Sequence, residues 1–71
     1  MPNDSPRLRE ELRNHILART GRRLQNLDVN FSDDGVILRG WAQTFYVKQL
    51  AQHGVRELLP NIRLDNAIQV A

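Results

Sequence analysis

The stretch LDVNFSDDGVILRGWA, residues 27–42, decides the fold. Leu27, Val29 and Phe31 alternate with Asp28, Asn30 and Ser32, and Val36, Leu38, Gly40 and Ala42 then alternate with Ile37, Arg39 and Trp41. A period of two is the signature of a strand with one packed face and one wet face. Asp33-Asp34-Gly35 separates the two runs, and that chemistry predicts a β-hairpin: Asp tolerates the turn, and Gly35 is expected to supply a positive φ. Ile37, Arg39 and Trp41 then share the open face of the sheet.

Outward from the hairpin the period changes to that of a helix. On the N-terminal side, Leu8, Leu12 and Ile16 recur every four residues. Ser5 is the expected N-cap, with Pro6 at the first helical position, where its missing N–H costs nothing. Gly21 is the expected stop, so the helix is predicted over about residues 6–19. On the C-terminal side, Thr44 is the expected cap of a second helix with Val47, Leu50, Ala51, Gly54 and Leu58 on one face, ended by Pro60. Gly54 in a helix interior costs up to ~1 kcal/mol relative to Ala, which points to a close approach by another element. Ile62, Leu64, Ile68 and Val70 alternate again as a third strand. The expected architecture is an α+β two-layer sandwich of order α-β-β-α-β. Two helices cover one face of a three-stranded mixed sheet, and the last two strands are parallel through a right-handed crossover.

Composition bounds what such a domain can do. Seventy-one residues make one small domain, whose ordered core is expected over about residues 6–70. There are no cysteines and only two histidines, without ligand spacing, so neither disulfide nor metal nor cofactor is expected to support it. The first residues carry no basic region followed by an apolar run, and no stretch reaches the ~20 apolar residues that span a bilayer. A chain complete as written is expected to stay in the compartment where it is made. The net charge of +2 is uneven: between Arg7 and Arg23 six arginines stand against Glu10 and Glu11, while the chain after them is close to neutral. Such asymmetry bears on anionic partners, not on the fold.

Each candidate site has a functional and a structural reading. His15 and His53 stand in no nucleophile–base motif, and a non-enzyme is expected. Asp33 and Asp34 lack the further oxygen ligands of a calcium loop and read as turn residues. Arg9 and Arg13, one turn apart, with Arg22 and Arg23 after the helix stop, form either a docking surface for anionic lipid headgroups or a solvated helix face. Trp41 reads equally as an interaction anchor, beside Ile37 and Arg39, or as a side chain folded over the sheet. Phe45 and Tyr46 read as structural, with Phe45 plugging the strand–helix corner. Nucleic-acid binding would rest on charge alone, since there is neither an RNA-binding aromatic motif nor a helix-turn-helix pattern, and it is not expected.

The ordered set of these pieces resembles the BON domain, a small bacterial module named after osmotic-shock and nodulation proteins. The resemblance covers roughly residues 8–70. It is carried by the hairpin Val29-Asn30-Phe31 through Gly35, Val36, Leu38, Gly40 and Ala42, by the small residues Ala51 and Gly54, and by Leu59-Pro60-Asn61-Ile62 leading to Leu64, Asn66, Ile68 and Val70. Gly35, Gly40, Gly54, Asn61 and Asn66 are thereby marked as structural positions. Asn61 stands where the family has glycine, which predicts a left-handed Asn. Ala42 replaces a larger apolar residue, so Leu50 or Leu58 is expected to fill the space. The resemblance implies a non-enzymatic role in binding phospholipid or another cell-envelope surface, and relatives that are often exported. An interaction with another protein, or self-association through the face around Trp41, is the alternative.

Overall fold

The computed structural model describes residues 6–71. Ser5, the expected cap, lies outside the described residues. Helix α1 (Pro6–Arg19) leads into strands β1 (Leu24–Phe31) and β2 (Gly35–Ala42), then helix α2 (Phe45–Leu58) and strand β3 (Arg63–Val70). The sheet order is β1-β2-β3, antiparallel in the first pair and parallel in the second. The α+β architecture expected from the periodicity is the architecture observed.

One apolar cluster joins both layers. Leu12, Ile16 and Leu17 of α1 and Val47, Ala51 and Val55 of α2 pack with Val29, Val36, Leu38, Ala42 and Ile68 of the sheet. Strand residues that alternate with these face away from both helices. Gly54 lies at the seam between the helices, where an added Cβ would stand 3.5 Å from Ile16 Cα. Asn66 ties β3 to α2 by donating from Nδ2 to the Lys48 carbonyl at 3.0 Å. Thr44 caps α2 as expected, its hydroxyl accepting the Val47 N–H at 3.2 Å.

Four local expectations are corrected. Gly35 does not have a positive φ. Its missing Cβ is needed because β3 passes beside it, and a Cβ there would stand 2.3 Å from the Arg63 carbonyl oxygen. Asn61 is not left-handed either; among the described residues the non-glycine ones with positive φ are Arg22 (59°) and Asn26 (55°). The turn after α2 closes instead through the Ile62 N–H on the Leu59 carbonyl at 3.3 Å, with the Arg56 guanidinium on the Pro60 and Ile62 carbonyls. Leu58 does not fill the space beside Ala42, because α2 starts next to Ala42 and Leu58 is its last residue, about 20 Å along the axis. Buried Leu24 stands directly across from Ala42, and Leu50 is half-buried.

The fourth correction concerns β1, which begins three residues before the alternation starts. Leu24 and Gln25 pair with Ala42 and Trp41, whereas Asp28 pairs with Arg39, so Asn26 and Leu27 together oppose Gly40. This β-bulge resets the phase so that both Leu24 and Leu27 point into the core. Asn26 takes the left-handed conformation that the bulge needs. Gly40 (φ 151°) accommodates it, since a Cβ at Gly40 would meet the Gln25 and Asn26 carbonyl oxygens at 3.0 and 3.2 Å.

Candidate anion-binding surface at the strand ends

Two of the arginine candidates owe their position to the way α1 stops. The Gly21 N–H donates to the Ala18 carbonyl at 3.3 Å and the Arg22 N–H to the Leu17 carbonyl at 2.9 Å. This paired closure needs a left-handed residue, supplied by Gly21 at φ 63°. Buried Thr20 turns its hydroxyl back onto the Ile16 and Leu17 carbonyls at 2.9 and 3.2 Å. Arg22 is left-handed as well, an uncommon state for a residue with a Cβ. Arg23 folds back so that Nε donates to the Thr20 carbonyl at 3.0 Å. The carbonyls that leave a helix end negative are thus engaged, and both arginine side chains are exposed at the start of β1.

Trp41 arrives at the same place from β2. It pairs with Gln25 on one side and Gln69 on the other, on the face away from the helices, and is 46% exposed. Arg22, Arg23, Gln25, Trp41, Gln43 and Ala71 form the walls of a concavity of about 360 Å³, with Ala42 at its base. No wall residue has an acidic side chain. Among the described residues the ion pairs are His15–Glu57, Arg19–Glu57 and Arg63–Asp34, and none of them engages Arg22 or Arg23.

Phe45 and Tyr46, expected as corner fillers, are 60% and 61% exposed at the first turn of α2. The reason lies in the helix phase. Val47, Ala51, Gly54 and Val55 take the buried stripe, and the two residues before Val47 fall outside it. Val70, at the end of β3 beside Ala42, is also exposed.

The other candidates are placed elsewhere. Arg9 and Arg13 are half-buried on α1 and do not line this concavity; Arg13 Nε donates to the Leu27 carbonyl at 3.4 Å, bracing α1 against β1. Arg39 is exposed in the same row as Trp41, while half-buried Ile37 lines a second hollow near the hairpin turn with Asp34, Arg63 and Asp65. His15 donates from Nε2 to Glu57 Oε1 at 2.8 Å, and Arg19 Nε donates to the same oxygen at 2.9 Å, linking the two helices. The His15 hydrogen bond, aided by the Arg19 charge, holds the Glu57 carboxyl below its usual range. Among the described residues no group of three His, Cys, Asp or Glu is set to hold a metal ion, and no helix is long and apolar enough to cross a membrane.

Sequence reasoning weighed Arg22, Arg23 and Trp41 separately and missed Gln25 and Gln43. Nothing in the linear pattern joins residues 22 and 41; the bulged pairing of Gln25 with Trp41 does. Comparison with family models, curated proteins and solved structures finds no match for the chain.

Proposed function

We propose that the chain is a non-catalytic, BON-like binding module that docks on anionic phospholipid surfaces through its strand ends. The observation that carries this reading is the meeting of two arginines, neither in an ion pair, with a half-exposed indole in one concavity. Basic residues near an anionic leaflet contribute about 1 kcal/mol each, and amphipathic rings favour the headgroup level. The resemblance of the hairpin and of the Asn66 strand to BON domains points to the same class of partner.

Vesicle co-sedimentation tests it. Binding is expected to anionic but not to neutral vesicles. It should weaken by roughly 30-fold when Arg22→Asn and Arg23→Gln are combined, which corresponds to about 2 kcal/mol. Equal binding to both vesicle types, or to neither, overturns the reading. The second reading, a protein or a second copy on the open sheet face, is supported by Arg39 and Trp41 standing exposed in one row of β2. It predicts a concentration-dependent mass in sedimentation that Trp41→Ala and Arg39→Ala abolish.

A further inference from the structure

The hollow at the strand ends has the features of a site for a single ligand as well as those of a charged surface. We propose that it takes one phosphate ester: Arg22 and Arg23 hold the phosphate oxygens, Trp41 packs on the esterified group, and Gln25 and Gln43 meet its hydroxyls. The inference deepens the membrane reading and rests on the same arginines.

Charge is the first argument. Two guanidiniums with no acidic side chain among the wall residues favour an anion, and planar guanidinium forks suit phosphate oxygens. The negative end of α1 would ordinarily oppose an anion there, but its closing carbonyls already accept from the Gly21 and Arg22 N–H groups and from Arg23 Nε. On the other side, the positive end of α2 begins two residues after Gln43.

Preorganisation is the second argument. Arg22 is aimed by a left-handed backbone and Arg23 is anchored through Nε, so its terminal nitrogens remain for a ligand. Groups fixed before binding lose less freedom on binding. Size is the third: about 360 Å³ lies at the lower end of small-molecule sites and suits a phosphate carrying a short polyol.

The chain contains one tryptophan, so fluorescence and the indole N–H resonance both report on this hollow alone. The full chain is titrated with inorganic phosphate, glycerol 3-phosphate, a nucleoside 5′-monophosphate and acetate. Saturable shifts of the Trp41 indole and the Gln25 and Gln43 amides are expected with the esters, more weakly with inorganic phosphate and least with acetate. Arg22→Asn, chosen because Asn tolerates the left-handed backbone, should weaken ester binding roughly fivefold, and Arg23→Gln similarly. Saturation by glycerol 3-phosphate points to a lipid headgroup ending in a phosphomonoester as the source, and preference for the nucleotide points to a soluble ligand; either supports the site. Inorganic phosphate binding as tightly as the esters overturns the role of Trp41. Vesicle binding without any ester titration overturns the pocket and leaves the membrane reading standing, whereas ester binding without vesicle binding does the reverse.

Discussion

The two ends of the sheet make an instructive pair. Each has a hollow of a few hundred Å³ with arginine in its wall, about 360 Å³ at the strand termini and about 280 Å³ beside the hairpin turn. At the turn, Arg63 pairs with Asp34 at 3.3 Å, with Asp65 in the same wall. At the termini, Arg22 and Arg23 face glutamines, alanines and an indole. An arginine with a carboxylate beside it is largely neutralised, and an exposed pair of this kind adds little stability. An arginine without one keeps its field for a ligand. The difference between the ends therefore lies in the acidic side chains present, not in the arginines.

The largest expected effect breaks the turn end alone. Gly35→Ala puts a Cβ into the Arg63 backbone and should cost about 3 kcal/mol, read as a lowered urea midpoint. The folded fraction should still respond to anionic vesicles. Next is Arg22→Gly, which sets stability against binding at the other end. Relief of the left-handed strain should raise stability by about 1 kcal/mol while anion binding falls roughly fivefold. A variant that is less stable would show that the Arg22 side chain itself supports the fold.

Asp34→Asn together with Asp33→Asn sharpens the comparison from the acidic side. Stability should change by less than about 1 kcal/mol, because the ion pair is exposed, while Arg63 acquires a measurable response to anionic vesicles. Silence of the Arg63 resonance would mean that neutralisation is not what separates the ends. The smallest effect lies on neither end, at the helix–helix link. The folded-state value of Glu57 is lowered from 4.5, so its contribution is present above pH 4.5 and lost as pH falls through the lowered value. Glu57→Gln should flatten the loss of thermal stability in that acidic window, modestly because the group is exposed, and leave neutral-pH binding unchanged.

Much of this was legible in the residues. The period of two through residues 27–42 and the apolar stripe of Leu12 and Ile16 declare their elements because burial repeats with the backbone. The bulge was not legible, since Leu24 and Leu27 are spaced by three and look like neither period. Its signals were Asn26, a residue that accepts left-handed geometry, and Gly40 across from it. Gly35 was assigned to the right place for the wrong reason: its constraint comes from Arg63, which no local pattern contains. The site was legible only in parts, because charge and aromaticity can be counted along a chain but their convergence depends on pairing.

The contact between Gly35 and Arg63 also bears on the order of folding. Phe31 and Val36 pair across a short turn, whereas Gly35 and Arg63 are 28 positions apart, with all of α2 between them. Long closures are entropically dearer and come late. The hairpin should therefore be the nucleus and the β2–β3 ladder the final lock. Gly35→Ala should accordingly speed unfolding several-fold and leave the refolding rate nearly unchanged.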